Sequence, residues 1–533
     1  VTNDTTPVLT GTAEPNSTIT VVVGGATYIT TANASGDWTI DTQTTTPDSG
    51  TFSPNVNGTN EVQVTSTDAA GNSTNDATTL ELTIDTTDPT TPTVDSQVTN
   101  DTTPVLTGTA EPNSTITVVV VGGATYTTTA NASGDWTIDT QTATPDSGTF
   151  SPNVNGTNEV QVTSTDAAGN STNDATTLEL TIDTTDPTTP TVDSQVTNDT
   201  TPVLTGTAEP NSTITVVVGG ATYTTTANAS GDWTIDTQTA TPDSGTFNPN
   251  VNGTNEVQVT STDAAGNSTN DATTLELTID TTDPTAPTVT ISEDTNNDGL
   301  ISQDELVGDI DATITLQADA VAGDTVTITD GNGNSQDIVL NATDITNGTI
   351  NVIIANPGDG NSINVTANIT DVAGNVGPNS TADSATIDTT PPTAPTVAIT
   401  EDTNNDGLIS QDELVGDIDA TITLPADAVA GDTVTITDGN GNSQDIVLNA
   451  TDITSGTINV VIANPGDGNS INVTANITDV AGNVGPNSTA DSATIDTTPP
   501  TAPTVTITED TNNDGLISQD ELVGDIDATI TLQ

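Results

Sequence analysis

Residues 294–305 read D-T-N-N-D-G-L-I-S-Q-D-E, and the same twelve letters return at 402–413 and 510–521. A hard dication such as Ca2+ takes six to eight oxygens at short range, and a twelve-residue loop delivers them from fixed positions. In the first copy Asp294, Asn296 and Asp298 offer side-chain oxygens from alternate positions, Gly299 permits the sharp turn, and Leu300 offers its backbone carbonyl. Ser302 ligates through water and Glu305 closes the shell with two oxygens. The second copy aligns Asp402, Asn404, Asp406, Leu408, Ser410 and Glu413, and the third Asp510, Asn512, Asp514, Leu516, Ser518 and Glu521. An Asn/Asp/Gly-rich surface turn is the plainer alternative. The three copies are duplicates of one unit, so they count as one observation.

The elements that must position this loop are strands. T-V-T-I-S at 288–292 and A-T-I-T-L at 312–316 alternate apolar and polar residues with period two. A loop held between strands stiffens a β-domain; it does not open a helix pair as a sensor would.

Composition narrows the function further. Asp and Glu number 74, while Lys, Arg, His, Cys and Met are absent, giving a formal charge of −74. No side chain can form a salt bridge, and the chain repels itself until cations compensate. Divalent metal is the expected partner. Nucleic acid and anionic membrane surfaces need basic residues and are excluded as electrostatic partners. There is no apolar run of transmembrane length, so no direct membrane insertion is expected of this segment. Without His, Cys or Lys most general bases and covalent nucleophiles are missing, and the chain is not expected to be an enzyme. High charge with few aromatics also fits disorder, but the regular alternation of Val, Ile and Leu with Thr argues for folded strands.

Repeats set the domain count. V-T-N-D-T-T-P-V-L-T-G-T begins at Val1, Val98 and Val196, spaced 97 or 98 residues apart, with one extra valine in the second copy at 118–121. A second type opens with T-A-P-T-V at Thr285, Thr393 and Thr501, a period of 108 residues. With boundaries at the linkers I-D-T-T-D-P and I-D-T-T-P-P, residues 1–88, 89–186 and 187–284 form three repeats of the first type, the first lacking its opening strand. Residues 285–391 and 392–499 form two of the second, and 500–533 begin another, so the chain reads as a window on a longer array. Alternating runs at 7–13, 18–23, 60–65 and 79–84, separated by E-P-N-S, S-G-D and D-A-A-G-N turns, predict an all-β fold of immunoglobulin-like β-sandwiches with almost no helix. Trp38, Trp136 and Trp233 each sit in G-D-W-T-I-D and are expected to plug these cores, in preference to serving as carbohydrate platforms. The second type has no aromatic residue, and so thin a core makes metal a structural requirement there.

A second set of acids lies at the repeat junctions. The D-A-A-G-N and D-V-A-G-N turns at Asp166, Asp263, Asp371 and Asp479 are expected to join the last two strands of each repeat and to face the incoming linker. Linker acids Asp85, Asp88, Asp183, Asp186 and Asp388 could then share a cation with them, for example Asp85 and Asp88 with Asp166. Ordinary hairpin turns with solvated charge explain the same letters equally well. D-G-N-G-N-S at Asp330 and N-P-G-D-G-N at Asn356 are read as turns.

With G-T-A-E-P-N-S-T-I-T-V, A-S-G-D-W-T-I, D-A-A-G-N and I-D-T-T-P-P assembled in order, the chain resembles the bacterial immunoglobulin-like tandem repeats of giant calcium-dependent secreted biofilm adhesins of the RTX type. The resemblance covers essentially every residue. It implies a calcium-stiffened extender, or stalk, of an extracellular, cell-surface adhesin exported by type I secretion, with calcium bound along the array and a distal adhesion domain carried outward from the cell. Its partners would be calcium ions and neighbouring repeats of the same chain. A self-assembling extracellular filament or surface-layer subunit, in which copies of the chain associate, is the alternative.

Overall fold

The computed structural model describes residues 1–120 and 122–532; Val121, the extra valine of the second repeat, and the terminal Gln533 lie outside the described residues. The chain divides into two compact units, Val1–Thr281 and Thr282–Gln533. Both are built almost wholly of strands.

In the first unit, alternation decides which way each strand faces. Thr115–Val120 reads T-I-T-V-V-V, and Ile116, Val118 and Val120 are buried while Thr115 faces solvent. This strand pairs antiparallel with Ala124–Thr129 on one side and Val160–Thr165 on the other, and Ser171–Asn173 closes the edge. The opposite layer contains Val105–Thr109 paired with Asp135–Asp139, and Leu180–Ile182 flanked by Gly156–Asn158 and, in parallel, Gln97–Thr99. Between the layers lie Leu106, Ile116, Tyr126, Trp136 and Ile182. The third repeat copies this core with Tyr223 and Trp233, and the first with Tyr28 and Trp38. Trp136 is 2% exposed, packs over Gly108 opposite it in register, and donates its indole N–H to Thr93 O at 3.2 Å. Trp233 does the same with Thr191 O at 3.1 Å, so both are core plugs with their polar edge satisfied, and Trp38 is buried in the same place.

The structure departs from the sequence reading in three places, of which the split of the 60–65 run around Glu61 is the smallest. The run expected at 79–84 becomes a strand only at Leu82–Ile84, because Leu80 takes a left-handed backbone (φ 62°), as do Leu178 and Leu275. A left-handed residue breaks the two-residue alternation, which composition alone does not reveal. The D-A-A-G-N hairpin joins Val160–Thr165 to Ser171–Asn173, and the chain then crosses to the other layer for a further strand, Leu180–Ile182, so the turn does not join the last two strands in this repeat type. In the second unit the expectation holds: residues 371–375 lie between Ser362–Thr370 and the final strand Asp383–Ile387.

The second unit fills its cores with Ile, Val, Leu and Ala alone. Ile310–Thr315 sits between Thr288–Ile291 and Thr349–Ile354, and the facing sheet runs through Leu300–Ile301, Asp383–Ile387, Ser362–Thr370, Thr325–Thr329 and Ser335–Val339. Its two short helices, Ala342–Asn347 and Ala450–Ser455, are each closed by an Asn/Asp capping box and by a left-handed glycine.

Candidate metal centre

The acidic loop begins after Thr288–Ile291 and ends before Ile310–Thr315, as the alternation requires. Its geometry is set by its own carboxylates. Asp294, buried at the loop's start, accepts the N–H of Asp298 on one oxygen (3.1 Å) and that of Gly299 on the other (2.9 Å). Asn296 accepts Asp298 N–H at 2.8 Å, and Asp298 accepts Leu300 N–H at 2.9 Å. Asn297 and Gly299 are left-handed (φ 57° and 86°), which gives the loop its reversal. Glu305 folds back across it, with Oε1 on the Thr295 hydroxyl (2.7 Å) and Oε2 on Ser302 N–H and hydroxyl (3.0 Å each). Burial pushes the Glu305 carboxyl up, but these donors outweigh it and hold it below the usual range, so it is charged at neutral pH. The second loop repeats the pattern through Asp402, Asn404, Asp406, Ser410 and Glu413, and the third through Asp510, Asn512, Asp514, Ser518 and Glu521.

The loop is tied to the next repeat. Leu300–Ile301 pairs in parallel with Thr386–Ile387 at the end of its own repeat, and Asp388 N–H donates to Ile301 O at 3.0 Å. That pairing sets the loop's exit beside the linker. Two residues on, Gln303 N–H donates to Asn483 Oδ1 at 2.7 Å, and the Asn483 amide donates to Asp388 O (2.7 Å) and Asp479 Oδ2 (2.9 Å). Loop, linker and following hairpin thus meet through a single asparagine.

Three carboxylates converge at this junction. Burial raises Asp388, and the charge of Asp479 raises it further; burial likewise raises Asp432, against which Asp479 and Asp388 both push. Asp432 is 1% exposed and, although Oδ2 accepts Val429 N–H at 2.8 Å, its Oδ1 has no partner. Asp324, at the same place in the preceding repeat, has an equally orphaned Oδ1 and is raised by burial and by Asp371. A buried unpaired carboxylate in a chain without a cationic side chain is costly. A dication would answer these charges, although the three acids are not among the groups whose oxygens all lie within 4.8 Å of one another. Asp324 and Asp432 escape a reading of the sequence because A-G-D-T looks like any other turn leading into a strand.

The first unit builds its junctions on the same plan with different letters. Asn170 Nδ2 donates to Asp85 O and Asp166 Oδ2 (2.8 Å each), and Asn267 repeats both contacts with Asp183 and Asp263. Asn3 N–H reaches Ala168 O (3.1 Å) and Asn100 N–H reaches Ala265 O (2.9 Å). The hairpin does face the linker, but Asp85 presents its backbone carbonyl to Asn170, while Asp85 and Asp88 line a surface cleft with Glu111. Asp166 and Asp263 each bind three backbone N–H groups of their own turn. Asp186 is exposed, and Asp371 holds its own turn through Ala373 and Asn375.

Among the described residues, groups of three carboxylates with oxygens within 4.8 Å of one another occur at Glu159, Asp174 and Glu179 and at Glu256, Asp271 and Glu276. No local motif marks these residues, because the second and third lie 15 and 20 positions after the first and meet it only through the fold.

A model of a bacterial Ig-like domain matches this chain three times, at residues 1–86, 88–184 and 186–281, just over half of its length. No curated protein matches it in sequence. Among solved structures, one described as "Ca2+-stabilized adhesin helps an Antarctic bacterium reach out and bind ice" is 25% identical, covering 76% of this chain and 99% of that one with a TM-score of 0.32. A "tetra-tandem repeat in extending region of large adhesion protein" is 21% identical over 76% of this chain and all of that one, 100%, with a TM-score of 0.26. A third, from work on "host cell surface retention of a 1.5-MDa bacterial ice-binding adhesin", is 25% identical over 58% of this chain and 98% of that one, with a TM-score of 0.28.

Proposed function

Because the chain belongs to the bacterial Ig-like domain family, a family of β-sandwich modules strung in tandem, we propose that it is a calcium-stiffened extender segment of a large secreted bacterial surface adhesin. It projects a distal binding domain from the cell for adhesion or biofilm formation and does no catalysis. The observation that carries this reading is the junction of the second unit. There the loop of one repeat, the linker and the hairpin of the next are joined through Asn483, and acids converge that no side chain of the chain can neutralise.

Calcium acts at two levels in this mechanism. In the loops, Asp294, Asn296, Asp298, the Leu300 carbonyl, Ser302 and Glu305 hold it, with Asp402, Asn404, Asp406, Leu408, Ser410 and Glu413, and Asp510, Asn512, Asp514, Leu516, Ser518 and Glu521 as the equivalents. Fixing the loop fixes Gln303, and through it the hairpin of the following repeat. At the junctions, Asp388, Asp432 and Asp479 take a second ion whose charge removes their mutual repulsion. Within the second unit the linker at 391 then acts as a hinge, and the ion at Asp388, Asp432 and Asp479 holds it at one angle. Loops of this class in extracellular modules bind calcium at about 10⁻⁴ to 10⁻³ M, a range that external fluids saturate and cytosol does not. Rigidity then follows export.

The test is X-ray scattering of the whole chain with millimolar calcium and after chelation, beside thermal unfolding. Calcium should raise both the radius of gyration and the melting temperature. Replacing Asp294 and Glu305, with their counterparts Asp402 and Glu413, by Ala should abolish most of the rise in melting temperature of the second unit. An identical radius of gyration in the two states refutes the reading.

A further inference from the structure

We propose that the first unit carries a second class of divalent-cation site, inside the sandwich edge and away from the junctions, formed by Glu159, Asp174 and Glu179 and again by Glu256, Asp271 and Glu276. This stands independently of the extender reading.

The site arises where a strand edge loses its ordinary partner. Beyond Ser171–Asn173 the chain leaves the sheet at Asp174, runs irregularly to Leu178, and re-enters regular structure at Leu180–Ile182. Over that gap carboxylates stand in for backbone carbonyls along Val160–Thr165. Val162 N–H donates to Asp174 Oδ1 (2.7 Å) and Val160 N–H to Glu179 Oε2 (3.3 Å). Glu159 Oε2 in turn accepts Leu178 N–H at 2.8 Å. The third repeat reproduces every contact, with Val259 on Asp271 (2.7 Å), Val257 on Glu276 (3.2 Å) and Leu275 on Glu256 (2.9 Å).

These bonds use one oxygen of each acid; the second oxygens of Asp174 and Asp271 accept the Thr176 and Thr273 hydroxyls at 3.4 Å. An oxygen from each of the three lies within 4.8 Å of the others, a spacing that a single ion can bridge. Glu179 and Glu276 are each 4% exposed, and in both the Oε1 atom has no hydrogen-bond partner. Glu179 is covered on its backbone side by Gln97, whose N–H donates to Glu179 O at 2.9 Å. A glutamate buried to that extent with an orphaned oxygen, beside two further carboxylates, is tolerated when its charge is answered nearby. The chain has no Lys, Arg or His to do so. An all-oxygen, triply anionic set selects a hard dication, and the carboxylates that already hold the strand edge would bind it with little rearrangement. The left-handed Leu178 and Leu275, each next to a buried glutamate, fix the turn that delivers it.

Aromatic residues make the site separable from the others. All Trp, Tyr and Phe residues lie before residue 248, and in the first repeat Trp38 lines one cleft with Asp76 and Glu81, the counterparts of Asp174 and Glu179. By that correspondence Tb3+ at the clusters of the second and third repeats should be excited through the tryptophan of the same repeat, whereas Tb3+ in the aromatic-free second unit should stay dark. With the full chain and Tb3+ as probe, tryptophan-excited emission should saturate on titration and be displaced by calcium. Glu179→Gln with Glu276→Gln should remove most of it, while Asp166→Asn with Asp263→Asn at the junction hairpins should leave it intact. Should the buried pair of substitutions unfold the repeats, Glu159→Gln with Glu256→Gln, at less buried positions, should move the titration midpoint up by about tenfold. Absence of emission in the parent chain overturns the proposal, because the clusters then hold no ion. So does undiminished emission in both glutamate variants, or loss of emission only in the hairpin variant.

Discussion

A single buried carboxylate illustrates how the acids of this chain can be liabilities and assets at once. Asp432 is raised by burial and by its acidic neighbours, so folding favours its protonated form. The stability it contributes is complete in acid and is lost as pH rises through its raised value. In chelator at neutral pH, Asp432→Asn should therefore raise the melting temperature of the second unit, and the gain should shrink as pH falls through the raised value of the parent residue, below which it is neutral too. In saturating calcium the sign should reverse, because Asn is the poorer ligand. Calorimetry of both proteins in both buffers reads all four values. The loop acids obey the opposite rule: Glu305, Glu413 and Glu521 are held below their usual range, and what they contribute is lost as pH falls through that lowered value. The twelve-residue loops were legible from letters alone because all their ligands are local in sequence. Asp432 and Glu179 were not, since each becomes special only when the fold removes its water and brings acids from elsewhere beside it.

Strands were legible wherever one face was apolar. Thr18–Val23 falls where the alternation puts it, whereas the neighbouring run splits around Glu61 into Gly58–Asn60 and Val62–Thr67. Leu80 breaks another run by its backbone conformation, a feature without a composition signal. Packing of the first repeat type turns on one glycine facing one tryptophan. A β-carbon on Gly108 would lie 2.0 Å from Thr93 O and 2.8 Å from the Trp136 ring. Gly108→Ala should therefore destabilise its repeat by about 1–3 kcal/mol, as overpacking does, measured by urea unfolding followed through tryptophan fluorescence. Trp136→Ala should cost about 3–5 kcal/mol. By contrast Tyr126, whose buried hydroxyl has no partner, should accept Phe with an unchanged or higher melting temperature, since the substitution deletes an unsatisfied group.

Across the whole molecule, a charge of −74 without one cationic side chain makes the solvent's ions part of the fold. Sodium chloride should raise the melting temperature gradually, by screening, and level off when the Debye length reaches a few ångströms. Calcium at matched ionic strength should raise it further and with a saturable midpoint; equal effects of the two salts would mean that screening alone is at work. The parallel pairing of Gln97–Thr99 with Leu180–Ile182 adds a mechanical consequence. The first of these strands opens its repeat and the second closes it, so a pull on the chain from both sides drags them in opposite directions along their length. All the hydrogen bonds between them then bear the load together instead of parting one at a time, and a short ladder of three residues resists tension as a seam does, where an unzipping hairpin would yield.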